Sequence, residues 1–227
     1  MRNRSETPTA QRGDSELDAC KPVPLSRGKF NDAAVLPYGC TLAGIKAAMQ
    51  DYLEFLEFVN CALHTKDIAR LESMLMPANF SSMVGEFMTA NIPKHCPSLA
   101  KNTYHNGHPD LVPAGKFPSD AAQHSSEGIE VKASRYARGW QGHNPEDCFL
   151  LVFVFDSSRP NDAAKSVPPR RFRFVEVLGE RLKKSDWLFA GRKGESRRTI
   201  TASVTRSGYD KMLANWVYRD TSPLLPE

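Results

Sequence analysis

The sequence predicts an α/β fold, in which a helical region is followed by a mixed β-sheet. Between positions 41 and 92, apolar residues recur at three- and four-residue steps. Beyond Cys96 they fall instead into short alternating or wholly apolar runs of strand length. The chain has 227 residues, 41% of them hydrophobic, which suits one domain with a real core.

Residues 1–38 are rich in Pro, Ser, Arg and Asp and show no sustained period. They are expected to form a mobile or loosely packed arm ahead of a single domain over 39–227. In residues 41–63, Ile45, Met49, Leu53, Leu56, Val59 and Leu63 form one stripe, with Asp51, Glu54 and Glu57 between them. That pattern predicts an amphipathic helix. A second helix is expected over Asp67–Leu75, with Ile68, Leu71 and Met74 or Leu75 facing inward. A third should start after Asn79, a good N-cap type, bury Phe80, Met83, Val84, Phe87, Met88 and Ile92, and end at Pro93.

The helical part thus spans 41–96 and the sheet part 105–205. Gly128–Ser134 reads as a short strand. Cys148–Phe155 is apolar at every position, which predicts a central strand buried on both faces. Arg171–Leu178 and Arg198–Thr205 are further strand candidates, and Tyr209–Trp216 a terminal helix. No internal repeat is visible.

Charge is unevenly spread. Residues 1–127 carry 12 Lys+Arg against 14 Asp+Glu, and residues 128–227 carry 18 against 12. The second half is therefore the candidate surface for a polyanion. The five cysteines have no CxxC spacing, so neither a disulfide framework nor a zinc knuckle is expected, and a reducing cytoplasm fits. The polar start has no apolar core of the signal-peptide kind, and the longest apolar run is far short of the ~20 residues that span a bilayer. The expectation is a soluble protein with no membrane partner.

The chemistry concentrates in His108–Ser134. Pro109-Asp110 is followed by Glu130-Val131-Lys132. On a strand, Glu130 and Lys132 share one face, about 7 Å apart, and Val131 points the other way, toward the core. His108 precedes proline and is biased to extended backbone, so Asp110 is expected to enter or leave a neighbouring strand. Two converging carboxylates repel unless a cation lies between them. Mg²⁺ suits such a pair, since it binds one or two carboxylates, keeps waters and takes phosphate oxygens.

These residues resemble the motif of the PD-(D/E)xK nuclease superfamily, and the chain looks most like a type II restriction endonuclease. The likeness covers residues 105–157 and includes the proline and an apolar residue between the acid and the lysine. It implies a restriction-endonuclease-like core, a mixed central sheet flanked by helices. It implies Mg²⁺-dependent hydrolysis of double-stranded DNA to 5′-phosphate and 3′-hydroxyl ends. Asp110 and Glu130 would be metal ligands, helped by the Val131 carbonyl, and Lys132 the catalytic lysine. Many members add a glutamate from an upstream helix. Glu86 is the nearest candidate here, although its place opposite the apolar stripe favours a solvated surface.

The segment after Lys132 is basic, aromatic and amide-bearing. Ser134, Arg135, Arg138, Gln141, His143 and Asn144 are the candidate DNA contacts, with Trp140 either among them or tucked into the core. Gly191–Arg198 is a candidate for phosphate contact. A prokaryotic homodimer would match two-fold DNA sites. The alternatives are a structure-specific repair nuclease or junction resolvase, a DNA-binding module without catalysis, and a protein in which the motif is accidental.

Overall fold

The computed structural model describes residues 15–142, 145, 147–190 and 201–221. Its centre is a seven-stranded mixed sheet in the order β1-β10-β7-β6-β4-β3-β2. These strands are β1 (Gly28–Phe30), β2 (Leu99–Lys101), β3 (Leu111–Pro113), β4 (Ile129–Ser134), β6 (Cys148–Asp156), β7 (Arg173–Leu182) and β10 (Trp216–Asp220). A smaller sheet, β5-β9-β8, joins β5 (Gln141–Gly142), β8 (Trp187–Ala190) and β9 (Thr201–Val204). The helices are α1 (Leu42–His64), α2 (Leu71–Met74), α3 (Pro77–His95) and α4 (Arg206–Ala214). The fold is α/β, with helices flanking a mixed sheet.

β6 is the axis, and its sequence explains why. Every residue from Cys148 to Phe155 is buried. Side chains alternate along a strand, so both faces must be covered. Phe149, Leu151, Phe153 and Phe155 join α1 and α3 in one core with Ile45, Met49, Leu56, Phe80, Val84 and Met88. Leu150, Val152 and Val154 join Trp140, Trp187, Ala202 and Met212 from the small sheet and α4 in the other. β4 lies parallel to β6, with Glu130 opposite Leu150 and Lys132 opposite Val152, and every other pairing in the large sheet is antiparallel.

α1 begins where the sequence places it. Thr41 caps it, its hydroxyl oxygen accepting from the Gly44 N–H at 3.0 Å. α3 buries the expected Phe80, Val84, Met88 and Ile92 and leaves Met83 and Phe87 half-buried. Its start differs: Pro77 occupies the first turn, where a missing N–H costs nothing, and Asn79 lies inside the helix. Pro93 falls in the last turn and does not end it.

Further expectations need correction. The helix expected over Asp67–Leu75 shrinks to Leu71–Met74, with Ile68 and Met74 half exposed. Polar contacts take over there: Asn60 accepts from the Leu71 N–H at 2.9 Å and donates to Glu72, also at 2.9 Å, and Glu72 is fully buried against Arg70.

Within the expected loose arm, residues 15–38 are packed. Cys20 and Leu25 are buried, the Val23 N–H donates to the Phe172 carbonyl, and β1 pairs with β10. The segment lacks a period because it contributes single anchors and one edge strand. Finally, the sheet reaches beyond 105–205. β1, β2 and β10 are short or edge strands, too brief to show alternation, and the last helix stops at Ala214, where β10 follows.

Candidate active site

The local geometry follows from where β3 and β4 part. They share one registered pair, Leu111 with Ile129, both buried in the helix-side core. One step further on each strand stand Asp110 and Glu130. Asp110 itself lies just outside β3, in a bend, and it lines the same cleft as Glu130. The step after that would need a backbone donor from Pro109, which has none. The strands separate there, and the Asp110 side chain takes the freed Val131 N–H, Oδ2 accepting at 2.8 Å. A strand residue's N–H and C=O point to the same side of the strand, so the Val131 carbonyl projects toward Asp110 as well.

Gly128 permits this approach. Its φ is +142°, and a Cβ there would lie 2.1 Å from the Leu111 carbonyl oxygen and 2.4 Å from Pro109 Cγ. Asn102 holds the other side. Its amide donates to the Pro109 carbonyl at 2.9 Å and the Ala122 carbonyl at 2.7 Å, and its oxygen accepts from Ala122 and Tyr104.

Glu130 has two partners. Oε1 accepts from Lys132 Nζ at 2.8 Å and Oε2 is 3.0 Å from His108 Nδ1, with the carboxylate and imidazole side chains each only 14% exposed. Burial alone would raise the Glu130 carboxyl, but the His108 and Lys132 hydrogen bonds and charges outweigh it and hold it at about 2. Asp110 goes the other way. Burial, and then the neighbouring Glu130 charge, push it up to about 7 against the opposing Val131 N–H and Lys132. The His124 ring stacks on His108, centroids 5.4 Å apart and planes 29° from parallel.

Asp110, Glu130, Val131 and Lys132 all line one open cleft of about 960 Å³, together with α3 and the 101–108 segment. Glu86 also lines it, on the rim, where it pairs with Lys101 at 3.1 Å and is largely solvated.

No protein-family model matches this chain, nor does any curated protein or solved structure. No described helix is long and apolar enough to cross a membrane.

The segment expected to contact DNA is divided. Arg135 turns inward, its guanidinium 5.2 Å from the Phe80 ring and 5.1 Å from the Phe155 ring, donating to the Ser157 carbonyl and hydroxyl. That is a correction: an arginine following a catalytic strand reads as a substrate contact, yet this one serves the core. Ser134 closes its own turn, accepting from the Tyr136 N–H, and Trp140 is buried with its indole N–H on the Tyr136 carbonyl. Arg138 and Gln141 are exposed, but the cleft's lining along β4 ends at Ala133. His143, Asn144 and Gly191–Arg198 lie outside the described residues.

Besides Lys132, the cleft's cationic and polar lining includes Lys101, Asn102, His105, His108 and His124. Sequence reasoning gave none of them a functional role. His108 could have been found, because it stands only two residues before Asp110 and so close to the acid in the chain. His124 and Asn102 gave no comparable signal.

Proposed function

We propose that the protein is a Mg²⁺-dependent endonuclease acting on double-stranded DNA, with a restriction-endonuclease-like core and type II restriction as its closest functional class. The observation that carries this reading is the convergence of Asp110, Glu130 and Lys132 in one cleft, with the Val131 backbone tied to Asp110.

The donor set fits a hard divalent cation. Burial first, and the neighbouring Glu130 charge second, raise Asp110, and a cation beside the two carboxylates would relieve both. Among the described residues no three His, Cys, Asp or Glu side chains form a metal-holding group. Magnesium does not require three, because waters and phosphate oxygens complete its shell. Asp110, Glu130 and the Val131 carbonyl would hold it, and Glu86 stands on the rim. When bound, the ion supplies Lewis-acid polarisation of the scissile phosphate and a more acidic water.

The chain's own groups do the rest. Lys132, held by Glu130, is placed to orient the attacking water; as an ammonium it offsets charge building on phosphorus, and only its deprotonated fraction can take the water's proton. His108 fixes the Glu130 carboxylate. Lys101 and His105 line the same cleft and suit backbone phosphates, which position without specifying sequence. Water adds to phosphorus as the 3′-oxygen leaves, giving a 5′-phosphate and a 3′-hydroxyl. Two copies acting on a two-fold site remain the natural assembly for such an enzyme.

Incubating the protein with phage DNA and Mg²⁺, then running the products on a gel, tests the reading. Discrete fragments are expected with Mg²⁺ and none with chelator, and Lys132→Ala should cut about 10²–10³-fold more slowly with unchanged thermal unfolding. Cleavage by Lys132→Ala at the normal rate would sink the assignment. Cleavage of branched DNA alone would move it to the junction-resolving class.

A further inference from the structure

Away from the cleft, two cysteines lie against each other. Cys40 Sγ and Cys96 Sγ are 3.5 Å apart, and the two residues are 7% and 1% exposed. They flank the helical region in sequence and meet in space. Cys40 immediately precedes the cap of α1, and Cys96 is the residue at which α3 ends.

The Cys96 sulfur sits at the first turn of α1. A Cβ added to Gly44 would lie 2.3 Å from it, so glycine opens the space that admits the thiol to the helix N-terminus. Helix N-termini favour thiolate over thiol. Cys40 and Thr41 supply the hydrogen bonds. Thr41 Oγ1 already accepts from the Gly44 N–H, so its proton is available to the sulfur. Together with these bonds, the imidazole of His95 on the neighbouring residue helps hold Cys96 at about 6, against burial, while Cys40 is pushed above the ordinary thiol range. One sulfur is thus prepared as a nucleophile, and its neighbour keeps its proton.

We propose that Cys96 and Cys40 form a redox site, in which Cys96 is oxidised by a small hydroperoxide and Cys40 resolves it to an intramolecular disulfide. The Cys96 thiolate attacks the terminal oxygen of ROOH. The O–O bond breaks, RO⁻ takes up a proton and leaves as ROH, and Cys96 becomes a sulfenic acid. The Cys40 thiol then attacks that sulfur, an S–S bond forms, and hydroxide leaves with the thiol proton as water. The net change is two thiols and one hydroperoxide to one disulfide, ROH and water. The bond would tie the start of α1 to the end of α3, three residues before β2 begins, and so fix the segment that carries Lys101 into the cleft.

Cys20 and Cys61 provide an internal comparison. They are near enough to interact, but burial and the Cys61 charge raise Cys20 to about 11, and its thiol donates to the Glu16 and Asn60 carbonyls. Proximity without activation should leave that pair reduced.

The test treats the whole protein with hydrogen peroxide, alkylates the remaining thiols after denaturation, and maps the peptides. The expected product joins Cys40 to Cys96 and leaves three alkylated cysteines of the five. In Cys40→Ser, a dione probe should label Cys96 as sulfenic acid. In Cys96→Ser, neither the bond nor a label on Cys40 should appear. Five alkylated thiols after peroxide, a bond joining other cysteines, or a sulfenic acid on Cys40 would each overturn the proposal. None of these outcomes depends on cleavage of DNA.

Discussion

Two clusters of buried charge in this molecule are built on opposite principles. Around Arg70, every charge is answered. The guanidinium, 2% exposed, meets Glu16 and Glu72 and donates to Ser158 and the Arg170 carbonyl, while Glu72 also takes the Asn60 amide. At the cleft, Glu130 is bonded to Lys132 and His108, while Asp110 beside it is driven up to about 7 by burial and then by the Glu130 charge. The first arrangement ties residue 16, α2 and the 158–170 loop together. The second leaves a buried carboxyl beside a like charge, a cost that a bound cation would relieve. Strongly shifted groups in a cleft are a usual mark of function, whereas fully paired buried charges usually mark structure.

The contrast can be broken first on the Arg70 side. Glu72→Ala should lower unfolding free energy by about 3–5 kcal/mol, because a buried guanidinium loses its closest counter-charge. Urea titration would measure it. If the loss is under about 1 kcal/mol, the network is ornamental and the comparison fails.

Asp110→Asn should do the reverse. A carboxyl whose folded pKa is about 7, against about 3.9 unfolded, binds its proton more tightly when folded. Its contribution is therefore most favourable below pH ~4, declines as pH rises toward 7, and stays low above it. In metal-free buffer at pH 8 the asparagine variant should be the more stable protein, by roughly 2 kcal/mol after allowing for partial exposure. At pH 4 the two should converge, and millimolar Mg²⁺ should narrow the gap at pH 8, since ligand binding stabilises only the wild type. A variant less stable than wild type at pH 8 would show that Asp110 is held by its Val131 bond more than it is strained by Glu130.

How much of this could be read from the sequence follows the same division. The long periodic elements were legible. α1, α3 and the all-apolar β6 announce themselves because each buries a continuous stripe or two faces. The acid, acid and lysine of the cleft were legible because Glu130 and Lys132 share one face of a strand and, with Pro109-Asp110, resemble a known motif. Short elements were not. β1, β2 and β3 have three residues each, fewer than two periods, and only the sheet's partners define them. Arg135 misled because sequence shows its type and place but not the two phenyl rings that receive it. His124 was invisible because 16 positions separate it from His108, and only the fold stacks them.

His108 offers the finest test of the cleft, since it bonds Glu130. Through its 3.0 Å contact it helps hold the Glu130 carboxylate ionised and oriented. His108→Ala removes that hydrogen bond but leaves both carboxylates and Lys132 in place. The Mg²⁺ concentration giving half-maximal cleavage should rise about tenfold, the usual scale for a group that orients a ligand, with a smaller change in the rate at saturating Mg²⁺. His108→Asn places an amide N–H near the former Nδ1 and should recover most of the loss. A purely structural role predicts another pattern: lowered stability in both variants, no rescue by asparagine, and an unchanged Mg²⁺ requirement in the folded fraction. If the saturated rate collapses while the Mg²⁺ requirement stays fixed, His108 belongs with Lys132 in handling the proton, and the division between a paired structural cluster and the strained cleft would have to be redrawn inside the cleft itself.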